Sequence, residues 1–404
     1  MMSAVWNGRV FEMKLRNLIA LLLILSMLGT GTASAEQVSS STVLPALKTV
    51  VDRDHIADYD FSGKAMEYLN YIGENFPDRD GDGDARDAFT GWLVSELKAC
   101  GYTDSQIEEQ PFESENLFAG DTVQGRNIIV TLPGQREGQL IVGAHYDGTG
   151  LGDNGSGTAL LLAAAAGLVN AGPQFTIRFI FFDREEAGMI GSRYYAEQMS
   201  ENDIASTLYM INLDALAFGD FCNIYGGVFG DDYDSPFLTL VEDEPLPEPD
   251  QLEGYNFAAE TAEALGFKVY HTGDLDGYFE ENGEGMKAED NAFFTNPWTN
   301  AHPAPLNMFA PSPATFGASD HAPFAALGIP YIYFEATNWW AEGSDEYLSY
   351  TGYIETYDAG VGDGGQFMNT DWDTLENLNA LFPGRAEQHF RMYSPLLSAL
   401  LLVE

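Results

Sequence analysis

The sequence predicts an α/β fold with a mixed, largely parallel central sheet that is flanked by helices on both faces. Runs rich in β-branched and aromatic residues alternate with segments in which apolar residues recur every three to four positions. The strand-like runs are apolar throughout, which is typical of strands buried on both faces. With 404 residues, 45% of them hydrophobic, the chain is long enough to bury a large core.

The N-terminal segment has the features of an export signal. Met13–Arg16 provides a positive start, Leu18–Leu28 an apolar run, and Ala33–Ala35 a small-residue cleavage site. The apolar run is shorter than the roughly 20 residues that span a membrane. We therefore expect a signal peptide over residues 1–35, a linker over 36–62, and a secreted protein, extracellular or periplasmic, without stable membrane insertion after cleavage.

Helices and strands then alternate along a single predicted domain, residues 63–404. The predicted helices are 63–76, 85–100, 157–168, 191–199 and 255–265. The predicted strands are 127–132, 139–144, 176–182, 208–213 and 330–334. Pro133-Gly134 indicates that the first two strands pair with each other. Residues 218–315, rich in Gly, Pro, Asp and aromatic residues, are predicted to be an irregular insertion that could form a lid or pocket wall.

The formal net charge of −44 excludes some partners. A strongly negative field repels phosphate backbones and anionic lipid surfaces, so we expect no nucleic-acid partner. Cys100 and Cys222 are the two cysteines of the sequence, so no disulfide framework holds the fold. Two buried thiols are favoured over one bridge. The oligomeric state is left open.

Residues able to bind a metal follow several of the predicted strands. Because the carboxyl ends of parallel strands meet at one edge of a sheet, we expect these side chains to converge. Zinc takes imidazole nitrogen and carboxylate oxygen at about 2 Å, and a pair of ions needs one bridging carboxylate. Adjacent Glu185 and Glu186 after an apolar strand are costly unless a cation is present. Five histidine and carboxylate side chains of this kind at the strand ends would supply such a set.

The motifs resemble a known family when taken in order. His-x-Asp at 145, Asp-Asn-x-Ser-Gly at 153, Glu-Glu at 185, Asn-x-Asp at 212 and Ser-Asp-His at 319 are similar to the bacterial leucyl aminopeptidase type of co-catalytic zinc peptidase. Gly328-Ile329-Pro330 and Asp373–Asn377 also fit, and the resemblance runs from about residue 68 to the C-terminus. It implies a zinc-peptidase α/β/α sandwich that holds two Zn²⁺ per chain and hydrolyses peptide substrates.

The resemblance also implies a role for each site residue. Asp153 would bridge the two ions, His145 and Asp214 would complete one site, and Glu186 and His321 the other. Glu185 would be the general base, and Asp147 would orient His145. The spacing of eight residues from His145 to Asp153 is shorter than in many family members, and Gly148, Gly150 and Gly152 make the tight loop feasible.

Three alternatives to a secreted aminopeptidase stay open. Relatives on the same scaffold include single-zinc glutaminyl cyclases, glutamate carboxypeptidase-like enzymes or dipeptidases, and a metal-free binding domain. A carboxypeptidase would need a cation for the substrate carboxylate, and Arg184 and Arg193 are the nearest basic residues, whereas acid-rich surroundings suit a substrate α-ammonium. Tyr225 and Tyr270 are candidates for the donor that stabilises the tetrahedral intermediate, and spacing does not choose between them.

A second ion site is suggested by alternating aspartates after the first predicted helix. Asp78, Asp80, Asp82 and Asp84, with Gly83, resemble the first half of an EF-hand loop, which would bind Ca²⁺. The twelfth position, usually acidic, is Phe89. A solvated acidic turn before a helix is the alternative.

Overall fold

The computed structural model describes residues 47, 52–80, 83–116, 120–227, 253–270, 291–294, 319–338, 355–356, 358 and 360–404. The predicted signal peptide, most of the predicted linker and most of the predicted insertion lie outside these residues. Among the described residues, no helix is both long and apolar enough to cross a membrane.

The described residues form ten helices and nine strands. The helices are α1 Arg53–Ala57, α2 Ser62–Asn75, α3 Asp84–Cys100, α4 Gly155–Leu168, α5 Ile190–Gln198, α6 Glu201–Ser206, α7 Glu253–Leu265, α8 Ala322–Ala326, α9 Leu375–Leu381 and α10 Arg385–Leu401. The strands are β1 Ile107–Glu115, β2 Thr122–Leu132, β3 Gln139–His145, β4 Thr176–Phe182, β5 Thr207–Leu213, β6 Phe221–Gly227, β7 Lys268–Val269, β8 Ala292–Phe293 and β9 Tyr331–Thr337. Each predicted helix and strand is present within a few residues of its expected bounds.

Seven of the described strands form one sheet in the order β1-β2-β4-β3-β5-β9-β6. The four central strands, β4, β3, β5 and β9, run parallel, and the outer pairs are antiparallel. Parallel neighbours need long crossovers, which the intervening helices supply. The predicted mixed, largely parallel sheet is therefore confirmed, with its parallel part at the centre.

The predicted pairing of residues 127–132 with 139–144 is wrong, because β4 lies between these strands. Ile180 of β4 is opposite Ile129 of β2, and Phe179 of β4 is opposite Val142 of β3. The Pro133-Gly134 connection does not close a hairpin. Gly134 instead lies against the next strand, where a Cβ atom would be 2.2 Å from the carbonyl carbon of Phe175.

The main sheet also extends into the segment predicted to be irregular. Phe221–Gly227 forms β6, which pairs antiparallel with β9. Its two terminal glycines weaken the strand signal in the sequence, because glycine has no side chain to pack. The predicted helix at 255–265 is confirmed as α7. At the other end of the fold, α1 and the buried Phe61 lie within the predicted linker, so packed structure begins before residue 63.

Helices cover both faces of the sheet, as predicted. One face packs against α2, α3, α4 and α10, and the other packs against α5 and α8. Successive strand residues alternate between the two cores: Ile128 and Val130 belong to one core, and Ile129 to the other. Helix α4 is buried almost throughout, because its run of alanines and leucines fits close to the sheet.

Candidate metal centre

Three parallel strands end together at one edge of the sheet. His145 is the last residue of β3, Asp214 directly follows β5, and Glu185 and Glu186 follow the end of β4. Since β3 lies between β4 and β5, these acidic residues flank His145 on either side. Strand order therefore brings together residues that are about 70 positions apart in the chain.

His145, Asp153 and Asp214 form one compact group. The carboxylate Oδ1 atoms of Asp153 and Asp214 lie 3.1 Å and 3.3 Å from Nε2 of His145. All three side chains are at least nine-tenths buried. Within the described residues, neither ring nitrogen of His145 nor Oδ1 of Asp214 has a hydrogen-bond partner. One nitrogen therefore faces two carboxylate oxygens without bonding to either.

This arrangement fits a zinc ion better than a set of hydrogen bonds. A neutral imidazole nitrogen carries at most one proton, so Nε2 could serve only one of the two oxygens. Ligand atoms about 2 Å from a tetrahedral zinc ion lie about 3.3 Å from one another. The distances around Nε2 match that spacing, and the three ligand atoms all lie within 4.8 Å of one another.

Asp147 connects His145 to the end of β4. Its Oδ1 lies 3.4 Å from Nδ1 of His145, and its two oxygens accept the backbone N–H groups of Glu185 and Glu186 at 3.1 Å and 3.3 Å. Burial raises the pKa of Asp147, but His145 and the two amides outweigh that effect, so the net pKa is lowered. Asp147 is thus held as an anion beside the imidazole.

Several buried carboxyl groups are crowded together around this centre. Burial raises the pKa values of Glu185 and Glu186 well above the usual range, and neighbouring carboxylates raise them further, although His145 opposes the effect. The pKa of Asp153 is raised for the same reasons, and burial raises that of Asp320 to about 7. Such a cluster has the chemistry of a cation site.

Glu186 and His321 are not part of the compact group. The Glu186 carboxylate lies over the loop at Gly148, where a Cβ atom would be 3.3 Å from its Oε1. His321 is fully buried at the start of α8, and its ring stacks on Tyr333 with centroids 4.9 Å apart. Among the described residues, His145, Asp153 and Asp214 are the one group whose ligand atoms converge. The second predicted metal position stays a prediction.

Sequence reasoning gave no role to two motif residues that hold Asp214. Asn212 donates from Nδ2 to the Ser319 hydroxyl at 2.7 Å, and Ser319 donates to Oδ2 of Asp214 at 2.6 Å. The bond to Ser319 thereby fixes Oδ2 of Asp214, while Oδ1 faces His145. Asn212 and Ser319 belong to the Asn-x-Asp and Ser-Asp-His motifs, so their place in these motifs was the feature of the sequence that could have indicated a role.

Asn154 joins the loop before α4 to the end of β5. Its Oδ1 accepts the N–H of Gly157, which caps α4, and its Nδ2 donates to the carbonyl of Leu213 at 2.8 Å. The same Oδ1 accepts the N–H of Ala215 at 3.3 Å. One amide side chain therefore fixes the positions of Asp153 and Asp214 relative to each other.

The backbone is strained on both sides of the site. Arg184, directly before Glu185, has a φ of 63°, and Ala215, directly after Asp214, has a φ of 51°. Residues other than glycine adopt this region at a cost, and such residues cluster at functional sites. The strain therefore marks the same two strand ends as the carboxylate cluster.

The remaining predicted residues either make other contacts or lie outside the described part of the chain. The hydroxyl of Tyr225 donates to buried Glu335 at 3.0 Å, and the ring of Tyr270 stacks on Phe294. Asp78 and Asp80 are exposed, and Arg184 donates to the carbonyl of Asp80 at 3.1 Å. Asp84 begins α3, and Asp82 lies outside the described residues. The calcium site stays a prediction.

Comparison with known proteins agrees with the site chemistry. Residues 127–244 match the model of peptidase family M28. A probable lipoprotein aminopeptidase, LpqL, of Mycobacterium tuberculosis is 38% identical over 134 residues, which is 31% of this chain and 26% of that protein. An aminopeptidase of Pseudomonas aeruginosa is 35% identical over 107 residues, which is 25% of this chain and 20% of that protein. The matched part thus spans between a fifth and about a quarter of the length of these curated relatives.

Solved structures share the fold over most of the chain. A glutaminyl cyclase from an Acidobacteriales bacterium has a TM-score of 0.54 at 15% identity, covering 85% of this chain and 94% of that one. A Zn-dependent exopeptidase from Parabacteroides distasonis has a TM-score of 0.51 at 16% identity, covering 84% and 97%. These likenesses support the fold, and together with the family match they confirm the resemblance predicted from the motifs.

Proposed function

We propose that this chain, whose residues 127–244 match peptidase family M28, is an exported zinc aminopeptidase with two metal ions. The observation that carries the proposal is the approach of Asp153 and Asp214 to one nitrogen of His145, at 3.1 Å and 3.3 Å. His145 and Asp214 would hold one ion, Glu186 and His321 the other, and Asp153 both. When bound, the ions would acidify a water molecule and polarise the scissile carbonyl group.

Glu185 would be the general base. It follows β4 at the same edge as the metal group, and burial with nearby carboxylates raises its pKa, as expected of a group that must take up a proton. Asp147 bonds to the amide of Glu185 at 3.1 Å, so the base and the imidazole of His145 are positioned by one carboxylate. Glu185 would then pass the proton to the leaving amine.

The charge around the site favours the amino end of a peptide. The carboxylates at the strand ends would attract a substrate α-ammonium group. Arg184, one of the nearest basic residues, is buried and donates to the backbone carbonyls of Asp80 and Gln124, at 3.1 Å and 3.2 Å. Its guanidinium is therefore committed to the fold and does not offer a site for a substrate carboxylate.

The test is an assay of the purified protein on a panel of aminoacyl p-nitroanilides, before and after dialysis against a chelator. We expect activity that chelation removes and zinc restores. Glu185→Gln should lower kcat by about 10²- to 10⁴-fold while the protein still binds zinc. The matched control is Glu197→Gln, an exposed glutamate on α5, which should leave kcat unchanged.

Chelator-insensitive activity, or full activity of Glu185→Gln, would overturn the mechanism. A glutaminyl peptide in the same panel tests the alternative, since a cyclase would release a cyclised product and bind one zinc ion per chain. Cleavage at the carboxyl end of peptides would indicate a carboxypeptidase or dipeptidase. Zinc content measured by atomic absorption distinguishes one ion from two.

A further inference from the structure

Two buried ionisable residues from distant parts of the chain form hydrogen bonds to the loop that joins His145 to Asp153. Arg79 precedes α3, and Asp373 precedes α9. Arg79 has no exposed surface, and Asp373 is 3% exposed. Neither belongs to the predicted metal ligands. Arg79 stands in the acidic run considered for calcium, and Asp373 opens a motif to which no role was given.

Arg79 holds the loop by its carbonyl groups. Its Nε donates to the carbonyl of Tyr146 at 2.8 Å, and its Nη2 donates to that of Gly150 at 2.5 Å. Its backbone N–H donates to the carbonyl of Gly148 at 3.0 Å. The carbonyl groups of residues 146, 148 and 150 thus all accept hydrogen bonds from Arg79. Its Nη1 also donates to the carbonyl of Phe76 at 3.0 Å, which fixes the guanidinium group.

Asp373 holds the following residues by their amides. Its Oδ1 accepts the N–H of Gly152 at 2.6 Å, and its Oδ2 accepts the N–H of Asp153 at 2.9 Å. Its backbone carbonyl accepts the N–H of Leu151 at 3.2 Å. Three successive amides therefore bind one residue, and the last belongs to the predicted bridging ligand. Bonds from amides to a carboxylate are stronger than bonds between neutral groups.

The glycines of the loop permit this close approach. A Cβ atom at Gly150 would lie 2.3 Å from Oδ2 of Asp373, and one at Gly152 would lie 3.2 Å from Oδ1. Glycine loses more conformational freedom on folding than any other residue, so a loop with three of them is costly to order. The hydrogen bonds from Arg79 and to Asp373 on its two sides offset this cost.

We propose that Arg79 and Asp373 form a two-sided backbone clamp that holds Asp153 ready for metal and thereby sets the metal affinity of the site. Both are positioning residues, since each acts through the loop. The proposal rests on the proposed function, in which Asp153 is a ligand. Partners that orient ligands in this way change metal affinity by about 10- to 100-fold when they are removed.

The experiment compares zinc binding by the metal-free full chain and by Asp373→Asn, in competition with a chromophoric chelator. The asparagine keeps the shape but offers an N–H₂ group to one of the two amides. We expect its zinc affinity to be about 10- to 100-fold weaker, and the visible spectrum of the Co²⁺-loaded protein to change. Arg79→Gln, which acts from the other side of the loop, should weaken zinc binding in the same direction.

The matched control is Glu355→Gln. Glu355 is also buried and also accepts two backbone amides, those of Phe367 and Met368 at 2.8 Å and 2.7 Å, and among the described residues no hydrogen bond joins it to the loop from His145 to Asp153. We expect it to lower the thermal midpoint without weakening zinc binding. Equal zinc affinity and an equal Co²⁺ spectrum for folded Asp373→Asn and the unchanged chain would overturn the clamp.

Hydrogen exchange in the unchanged chain tests the clamp without relying on a variant that folds. The amides of Leu151, Gly152 and Asp153 should be protected even after zinc is removed, because Asp373 rather than the metal binds them. Rapid exchange of these amides in the folded, metal-free protein would overturn the clamp. If the unchanged chain binds no zinc at all, both the clamp and the proposed function fail, whereas a clamp failure alone leaves zinc binding intact.

Discussion

The role of Ser319 illustrates how one hydroxyl connects two of the recognised motifs. It accepts a hydrogen bond from Asn212 and donates one to Asp214, at 2.7 Å and 2.6 Å, with all three side chains buried. Replacing it with alanine would leave a buried donor and a buried carboxylate oxygen without their partner. Such groups cost roughly 1 to 3 kcal/mol each when they are left unsatisfied.

We therefore expect Ser319→Ala to lower the free energy of unfolding by about 2 kcal/mol or more, measured by urea denaturation. Ser398→Ala is the control, because that hydroxyl donates only to the carbonyl of Tyr59 among the described residues, at 2.7 Å. It should cost about 1 kcal/mol. If both variants lose the same free energy of unfolding, the link that Ser319 makes between Asn212 and Asp214 adds no more stability than an ordinary buried hydrogen bond.

His389 gives a prediction about pH. It is buried on α10, and its Nδ1 lies 2.7 Å from the carbonyl of Leu216. Burial, together with the nearby Arg385, lowers its pKa to about 4 against the opposing effect of that carbonyl. The unfolded chain takes up this proton near pH 6.5. The contribution of neutral His389 to the free energy of unfolding is therefore present in full above pH 6.5. It is lost as the pH falls from 6.5 towards 4, because the unfolded chain then takes up a proton that the folded chain does not.

Between pH 7 and pH 5 this loss should be about 2 kcal/mol. His389→Gln, which keeps an N–H donor, should lose correspondingly less stability over that interval, as measured by urea denaturation at each pH. The same substitution at exposed His55 should leave the pH dependence unchanged. A curve for His389→Gln that runs parallel to that of the unchanged chain would contradict the assignment.

At the scale of elements, the periodicity of the sequence predicted most helices and strands, but it could not specify their neighbours. Strand pairing depends on contacts far apart in sequence, and β4 separates β2 from β3 although they are consecutive in the chain. Phe221–Gly227 was missed because its two glycines resemble a loop. The convergence of His145 and Asp214 was predictable, since both follow apolar runs, and their roles as ligands remain predictions.

The clamp could not be read from the motifs, because backbone carbonyls and amides leave no pattern in a sequence. One signal was available for Arg79, a cation within an acidic run of a chain that has 18 basic and 62 acidic residues. Such a residue is expected to have a specific carbonyl or carboxylate partner.

The contact between α7 and the sheet gives a prediction at the same scale. A Cβ atom at Gly226 of β6 would lie 2.4 Å from the backbone nitrogen of Tyr255 and 2.6 Å from the carbonyl oxygen of Tyr331. Backbone atoms cannot rotate away, so α7 would have to move. Gly226→Ala should lower the free energy of unfolding by about 1 to 3 kcal/mol, measured by chemical denaturation.

Gly91→Ala is the control for this substitution. A Cβ atom at Gly91 meets nothing within 4 Å, and the residue lies inside α3. Alanine is the better helix former by up to about 1 kcal/mol, so this variant should be more stable than the unchanged chain. Similar destabilisation at both glycines would contradict the packing of α7 on β6.

For the whole molecule, the net charge of −44 predicts a dependence on salt. Like charges repel more strongly in the compact state than in the extended one, so they destabilise the fold. Raising the ionic strength from 0.01 M to 0.15 M shortens the screening length from about 30 Å to about 8 Å. The thermal midpoint should therefore rise with salt, by about 3 °C or more.

The identity of the cation separates general screening from a specific site. NaCl, KCl and choline chloride at equal ionic strength should raise the thermal midpoint equally, because screening depends on ionic strength alone. A rise produced by one cation and not by the others would instead indicate a site built from particular carboxylates. Measurements on the zinc-loaded protein keep the metal centre constant, so any remaining cation dependence would point to surface carboxylates, among them the exposed Asp78 and Asp80 of the predicted calcium site.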